Sequence, residues 1–213
     1  FSTTKAITGT AVLQCVEEGK LDLDAPAKNY VPDIGKLEVL DGFDADGKPK
    51  LRAPKRDITT RMLMLHTAGF SYEFFSHDDL KYRTAKEIPT VVSSSFASIR
   101  TVLLHDPGER WTYGVNIDWL GRIVEQQRGQ RLGEVFAERI FGPLGMQDIA
   151  FTMSDSMKAR RAVLHTPWFI QAFEPDLSAL GPRLRYEDAG HYMKYAVLSP
   201  DGQLLATAGY DSA

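Results

Sequence analysis

The chain has 213 residues, with 25 Lys and Arg against 28 Asp and Glu, so its formal net charge is -3. Because the charges nearly balance and are scattered along the chain, nothing points to nucleic acid or an anionic membrane as a partner. Hydrophobic residues make up 43% of the chain and charged residues 25%, which favours a folded core over disorder. The one cysteine, Cys15, excludes an intrachain disulfide and is expected to be a small buried hydrophobe. No apolar run reaches the ~18 residues of a membrane span.

The first part of the chain is predicted to hold two helices separated by loops. Helical spacing of apolar residues predicts a helix over residues 2–18, which ends at a glycine. The apolar positions of this helix are Ile7, Ala11, Val12 and Val16. Residues 41–57 mix Gly, Pro and Asp with charges, which favours an exposed loop or a small ribbon. Thr59 or Thr60 is expected to cap a short helix, and the ring-rich stretch that follows is expected to be a loop packed on the surface.

The second part is predicted to continue as helices. Residues 95–104 are expected to be helical, and Asp106-Pro107-Gly108 is expected to form a turn. The clearest later helix covers residues 116–128, with Asn116 as its cap and a glycine at its end. Strands are expected to be few. The remaining predicted elements are helices at 132–141 and 154–160 and an irregular, proline-punctuated stretch at 165–190.

Ser2 and Lys5 stand at the start of the first predicted helix, three residues apart. On a helix this spacing places both side chains on one face, and the helix start offers free N–H groups and a positive dipole end to a developing anion. A serine hydroxyl becomes a good nucleophile only when a base takes its proton. Lys5 can serve as that base if its pKa is lowered well below the usual ~10.4. The alternative is that Ser2 caps the helix and Lys5 faces water.

Four stretches stand in the order and at the separations of a known group of enzymes. They are "STTK" (2–5), "ITTRMLMLHTAGF" (58–70), "PGERWTYGVNIDWLGRIVE" (107–125) and "IFGPLGMQDIAF" (140–151). Together they resemble the serine β-lactamase-like superfamily, which contains penicillin-binding proteins, class C β-lactamases and family VIII carboxylesterases. The segments "MLHTAGFSYEFF" and "WTYGVNIDWLGRIVE" resemble the esterase branch most closely. The likeness covers roughly residues 1–165.

The resemblance implies a role for each matching residue. Ser2 matches the acylated nucleophile, and Lys5 matches its partner base. Tyr113 matches the tyrosine of the Tyr-x-Asn element, which shares the proton shuttle with the lysine; a phenol can both donate and accept, as such a shuttle requires. His66 in "HTAG" is expected to support its loop by hydrogen bonds. The other histidines lack the spacing of metal ligands, and neither a metal nor a cofactor is expected.

The sequence departs from the family pattern in the Tyr-x-Asn element. Val115 occupies its third position, and Asn116 follows one place late. Both residues are predicted to contact substrate. A valine at this position weakens the β-lactamase interpretation, because the asparagine there is associated with the amide side chain of the lactam. It suits an apolar acyl or alkyl group instead.

Two further departures concern the ends of the sequence. No Lys-Thr-Gly element or variant is found, and the expected upstream strands are absent, so the chain is expected to be truncated. The final segment, 190–213, resembles the start of a WD-repeat blade in Gly190-His191, "SPDG" and "LLATAG". Its physical content is a hairpin around Pro200-Asp201-Gly202, because one blade cannot bury its faces alone. We therefore predict a hydrolase region at 1–189 and a hairpin tail at 190–213.

The sequence as a whole predicts an α+β fold of the serine β-lactamase/transpeptidase type, mostly its helical domain with an incomplete antiparallel sheet. The predicted function is hydrolysis of a small-molecule carboxylic ester through an acyl-serine intermediate, with acyl transfer to an alcohol as a variant. Two alternatives stay open. One is a β-lactamase or D-alanyl-D-alanine peptidase, and the other is an inactive fragment that acts as an interaction module.

Overall fold

The computed structural model describes residues 2–159 and, beyond them, the backbone of five strands and no side chains. Two compact units make up the chain, residues 1–147 and 148–213; the hydrolase region at 1–189 and the tail at 190–213 stay predictions. Both units contain helix and antiparallel strands, which confirms an α+β chain that is mostly helical in its first part. No helix in the described part of the chain is long and apolar enough to cross a membrane.

The first unit contains most of the helices. The α-helices are α1 (Thr3–Glu17), α2 (Thr60–Met64), α3 (His77–Lys86), α4 (Phe96–Ile99), α5 (Asn116–Arg128) and α6 (Leu132–Phe136). Shorter 3-10 turns lie at Ala27–Asn29, Pro32–Lys36 and Val91–Ser93, and α6 continues into a π-helical turn at Ala137–Phe141. Two antiparallel strands, β1 (Val39–Phe43) and β2 (Pro49–Arg52), form the ribbon predicted between residues 41 and 57.

The core of this unit lies where α1, α2 and α6 pack on α5. Helix α5 is the most buried element, because its apolar residues recur every three or four positions. Its fully buried residues include Trp119, Leu120, Ile123 and Val124. The helix ends at Gly129, whose φ of 65° is a left-handed conformation that glycine adopts without strain. The predicted helix over 116–128 is therefore confirmed.

Helix α1 presents a slightly different face to the core than predicted. Its buried residues are Thr8, Ala11, Val12 and Cys15, whereas Ile7 and Val16 are half-buried. Thr8 can face inward because its hydroxyl donates a hydrogen bond to the carbonyl of Thr4 at 2.9 Å. The expectation that Cys15 is a buried hydrophobe is confirmed.

Two other details of the predicted helices are wrong. Helix α4 covers only Phe96–Ile99, because the chain beyond it is extended: the Leu103 N–H donates to Glu38 and its carbonyl accepts from Leu40. Asn116 is the first residue of α5 and not its cap. The cap position belongs to Val115, whose side chain makes no capping hydrogen bond.

The second unit begins with a short helix, α7 (Asp155–Ala159). A three-stranded antiparallel sheet follows, formed by β3 (Val163–His165), β4 (Phe169–Phe173) and β5 (Ala179–Arg185). The expectation of irregular structure over 165–190 is therefore wrong for these segments. The strands β6 (Tyr192–Leu198) and β7 (Leu205–Tyr210) form the predicted terminal hairpin, while its predicted turn at 200–202 lies outside the described residues.

Candidate active site

Ser2 lies at the entrance of helix α1, exposed to solvent. Its Oγ is 2.8 Å from the hydroxyl oxygen of Tyr113, a residue 111 positions later in the chain. The Ser2 side chain makes no capping hydrogen bond to the helix, so the helix-cap alternative does not describe its hydroxyl. This arrangement leaves a serine hydroxyl free to react, with a phenol beside it and the positive end of a 15-residue helix behind it.

Lys5 is half-buried one turn into α1, between two tyrosine rings. Its Nζ lies 5.1 Å from the ring centre of Tyr113 and 5.6 Å from that of Tyr72. Burial is the largest influence and lowers the pKa of Lys5, but hydrogen bonds and charge interactions with Tyr72 and then Tyr113 outweigh it, so the net pKa is raised. The condition stated from the sequence, a lowered pKa, is therefore not met in the free protein, and the amine is charged at neutral pH.

Tyr113 reaches Ser2 because two loops are locked together by short backbone contacts. The N–H of Thr112 donates to the carbonyl of His66 at 2.8 Å, and the N–H of Gly108 donates to that of Thr67 at 2.7 Å. A Cβ on Gly114 would lie 2.5 Å from the Cα of Ser71, a distance that only glycine permits. The loop before α5 is thus fixed against the loop after α2, and Tyr113 is fixed with it.

Two further side chains hold the Tyr113 loop. His105 is buried; its Nε2 lies 2.9 Å from the hydroxyl of Thr112 and its Nδ1 3.0 Å from the carbonyl of Asp106. The Asp106 carboxylate accepts two hydrogen bonds from the guanidinium of Arg52 and one from the N–H of Lys55. These bonds hold the pKa of Asp106 well below its usual range. The turn predicted at Asp106-Pro107-Gly108 is confirmed, since Glu109 N–H donates to the Asp106 carbonyl.

His66 supports the site without touching Ser2. Its backbone has a φ of 56°, and its Nδ1 accepts a hydrogen bond of 2.9 Å from the amide of Asn116. Burial first, and then the charge of Lys5, lower the pKa of His66 from 6.5 to about 4. The imidazole is therefore neutral at physiological pH, and its ring rests 4.8 Å from the ring of Tyr113. This geometry agrees with the supporting role expected from the sequence.

The structure buries Val115 and Asn116 completely. Val115 packs in the core, and the amide of Asn116 donates to His66 and to the carbonyl of Thr112. Their contact with substrate stays a prediction, since neither side chain is exposed beside Ser2. What the structure assigns to Asn116 is the orientation of the imidazole that supports Tyr113.

Sequence reasoning missed Tyr72 and the rings around it. Tyr72 is 8% exposed and contacts both Lys5 and Tyr113, with 5.5 Å between the two phenol rings. Three large rings nearby are more than half exposed, namely Phe74 (61%), Phe75 (67%) and Trp111 (65%). The signal was the density of aromatic residues in "FSYEFF" (70–75), which was interpreted only as loop packing.

Asp118, in the first turn of α5, was also missed. It keeps contact with solvent, although protein surrounds its carboxyl on most sides. This partial burial raises the pKa of the Asp118 carboxyl, and the charge of Lys5 opposes the rise. Asp118 therefore contributes to the electrostatic environment of Lys5. Among the described residues, no group of three or more His, Cys, Asp or Glu side chains could hold a metal ion.

Comparison with known proteins identifies relatives of this chain. The chain is 34% identical to acyltransferase mokF of Monascus pilosus over 194 residues, which is 90% of this chain and 45% of that protein. It is 40% identical to lovastatin esterase of Penicillium rubens over 155 residues, 70% of this chain and 38% of the esterase. The chain thus spans about half the length, or less, of the curated relatives it matches.

Solved structures give the same fold. The unliganded simvastatin synthase LovD of Aspergillus terreus superimposes with a TM-score of 0.70 at 36% identity, covering 76% of this chain and 42% of LovD. A more distant structure is EstCE1, described as a hydrolase with promiscuous acyltransferase activity. It has a TM-score of 0.58 at 23% identity, and the match covers 95% of this chain and 47% of the EstCE1 chain. EstCE1 therefore supports the fold alone.

The model of the Beta-lactamase family matches residues 1–209. This range includes the terminal hairpin up to residue 209, so the resemblance of the tail to a WD-repeat blade is unsupported. The breadth of the match and the identity to the fungal relatives agree with the serine, lysine and tyrosine found together at the start of α1. The chain belongs to the Beta-lactamase family.

Proposed function

We propose that this protein region performs acyl transfer through an ester of Ser2, with carboxylic ester hydrolysis as its main reaction. The observation that carries the proposal is the 2.8 Å contact between Ser2 Oγ and the Tyr113 hydroxyl at an exposed helix start. The Nζ of Lys5 lies 5.1 Å from the ring centre of the same phenol. A nucleophile, a proton relay and an amine therefore stand in sequence, which is the arrangement that covalent acyl catalysis requires.

The proton path follows from this order. After Lys5 loses its proton, the Tyr113 hydroxyl gives its proton to the amine as it takes the proton of Ser2. Ser2 Oγ then bonds to the ester carbonyl carbon, and the oxyanion lies at the positive end of α1, near the N–H of Ser2. When the tetrahedral intermediate collapses, Tyr113 gives its proton to the leaving alkoxide and takes one back from the Lys5 ammonium, so that phenol and neutral amine are both restored. A water molecule or an alcohol repeats the steps to release the acyl group and free Ser2.

The surroundings of Ser2 favour an apolar substrate. Phe74, Phe75 and Trp111 expose rings on the surface next to Tyr113, and exposed rings of this size offer apolar area to a ligand. Relatives are named for ester and acyl chemistry, among them lovastatin esterase and monacolin J acid methylbutanoyltransferase. We therefore propose a short acyl group esterified to an apolar alcohol, with transfer to an alcohol as a second outcome.

The alternative functions have weaker support. The asparagine associated with lactam substrates is replaced by Val115, and the curated relatives named above carry ester or acyl-transfer names. No observation on the described residues favours a role as an interaction module. Two substrates distinguish a β-lactamase from an esterase: the first would hydrolyse nitrocefin, and the second would hydrolyse p-nitrophenyl butyrate.

Covalent labelling tests the proposal directly. The 213-residue chain is treated with a fluorophosphonate, and the adduct is located by peptide mass spectrometry. We expect one adduct on Ser2, none in Ser2→Ala, and preferential turnover of p-nitrophenyl butyrate over nitrocefin. A folded wild-type chain that forms no adduct on Ser2 at any pH between 6 and 10 would overturn the proposal for this chain.

A further inference from the structure

A buried ion cluster lies directly behind the aromatic loop of the site. It comprises Glu73, Asp79 and Arg83, whose exposed fractions are 8%, 0% and 2%. Arg83 Nε donates to Asp79 Oδ2 at 2.8 Å and lies 3.6 Å from Glu73 Oε2. Two carboxylates thus share one guanidinium in the interior. A buried cluster of this kind contributes little net stability compared with apolar packing, so its presence calls for another explanation.

The cluster ties three chain segments together. Arg83 Nη1 donates to the carbonyls of Pro89 and Ser98, at 2.9 and 2.7 Å. Glu73 Oε1 accepts a hydrogen bond of 2.8 Å from the backbone N–H of Val91. Helix α3 and the segment around residues 89–98 are therefore fastened to the loop that carries Glu73.

Glu73 is also the immediate neighbour of Tyr72 in the chain, and the two side chains contact different parts of the protein. Glu73 is anchored inside by the cluster, while Tyr72 meets Lys5 and the ring of Tyr113. Glu73 lies inside a tight turn that begins at Tyr72, since the N–H groups of Phe75 and Ser76 both donate to the Tyr72 carbonyl. With the turn and the inner anchor both fixed, the Tyr72 ring has little freedom to leave Lys5.

We propose that Glu73 is a positioning residue that, through the buried ion cluster and the Val91 N–H, holds the Tyr72 hydroxyl against the Lys5 amine. The effect of this positioning on acyl transfer rests on the proposed function of Ser2. The effect of this positioning on Lys5 is independent of that function, because Tyr72 contacts the amine in the free protein. Glu73 is thus expected to act on the site without touching substrate or Ser2.

The groups that face Lys5 make this inference measurable. Tyr72 and Tyr113 contact the amine, and the charge of Lys5 in turn lowers the pKa of the neutral His66 imidazole and opposes the rise in the pKa of Asp118. Tyr72 raises the pKa of Lys5 more than Tyr113 does. If the hydrogen bond between Glu73 and Val91 is lost and the loop moves, Lys5 loses Tyr72, the partner that most stabilises its charged form. Its pKa then falls, as it also does in Tyr72→Phe.

The experiment titrates Lys5 by trace acetylation between pH 7 and 11, with quantification of its peptide against that of the exposed Lys48. The variants are Glu73→Ala, Tyr72→Phe and their combination. We expect Glu73→Ala to shift the Lys5 curve to lower pH in the same direction as Tyr72→Phe, and to add nothing in the Tyr72→Phe background. An additive shift would overturn the proposal, because Glu73 would then act on Lys5 directly.

A second variant and a control keep the test decisive. Val91→Pro removes the N–H that Glu73 accepts while leaving its charge, and proline is well tolerated at the first position of a helical turn. We expect Val91→Pro to shift the Lys5 acetylation curve to lower pH, as Glu73→Ala does. If Glu73→Ala does not fold, Val91→Pro is the variant that tests the proposal. Glu18→Ala breaks an exposed ion cluster, with Arg128 and Arg139, at the far end of α1 and should leave the Lys5 curve in place. Unchanged Lys5 curves in folded Glu73 or Val91 variants would overturn the proposal, whether or not Ser2 can be labelled.

Discussion

Replacement of Tyr113 by phenylalanine is the most direct perturbation of the site. It removes one oxygen atom, which lies 2.8 Å from Ser2 Oγ, and leaves the ring in place. The ring contacts with His66 at 4.8 Å and Trp111 at 6.1 Å are retained. Loss of a single hydrogen bond lowers the free energy of unfolding by about 1 kcal/mol, so the variant is expected to fold.

The expected loss of reactivity is much larger than the loss of stability. Without the phenol, no relay joins Ser2 to Lys5. General acid–base help of this kind contributes roughly 100- to 10,000-fold to a rate. At about 1.36 kcal/mol for each factor of ten, this equals about 3–5 kcal/mol of activation free energy. Tyr72→Phe is the matched control, because it removes a hydroxyl that contacts Lys5 and not Ser2. The loss of Ser2 reactivity in Tyr72→Phe should be clearly smaller than in Tyr113→Phe.

The assay is the second-order rate constant for fluorophosphonate labelling of Ser2, measured by intact-protein mass spectrometry at one pH for wild type, Tyr113→Phe and Tyr72→Phe. Thermal unfolding of each variant confirms that equal amounts of folded protein are compared. If Tyr113→Phe labels within tenfold of the wild-type rate, the hydroxyl is not the relay, and the proton path through Tyr113 is wrong.

Three further outcomes follow from the same geometry. Labelling of Ser2 should rise about tenfold per pH unit up to the pKa of Lys5, with no inflection near 6.5, because His66 has a pKa of about 4 and stays neutral; an inflection between pH 6 and 7 would contradict this assignment. The unfolded chain binds a proton on His66 at higher pH than the folded chain, so the free energy of unfolding should decrease as pH falls from 6.5 towards 4, by roughly 1–2 kcal/mol after allowance for solvent screening. Urea unfolding at pH 7 and 4.5 measures it, and His66→Gln should remove that part of the dependence. Gly114→Ala would place a Cβ 2.5 Å from the Cα of Ser71, so we expect a loss of about 1–3 kcal/mol in urea unfolding and slower labelling of Ser2; wild-type stability would mean that the two loops are not locked.

Local features of the fold were predictable because they depend on near neighbours in the chain. The periodicity of residues 116–128 and the glycine after them define α5, and the Ser2–Lys5 spacing places both side chains on one face of α1. Asp106-Pro107-Gly108 forms the expected turn for the same reason. The helix predicted over 95–104 failed beyond Ile99, because long-range hydrogen bonds between Leu103 and β1 hold the chain extended.

The environment of the candidate site was not predictable from local pattern. Tyr113 was identified through resemblance to a family, since nothing in its own segment indicates Ser2 as its partner. Tyr72 was missed because its approach to Lys5 depends on how the loop after α2 folds back. The raised pKa of Lys5 was not predictable for the same reason: burial alone lowers it, and two phenols reverse the sign.

The contact between the two loops at Gly114 and Ser71 matters for a chain that is still being synthesised. Ser2 leaves the ribosome more than a hundred residues before Tyr113, and its hydroxyl has no relay until the later loop docks. A polypeptide interrupted in between would carry an inert alcohol. On the proton path proposed above, the chemical reactivity of Ser2 reports on completed tertiary assembly, so the rate at which it appears during synthesis or refolding would measure the docking of those loops.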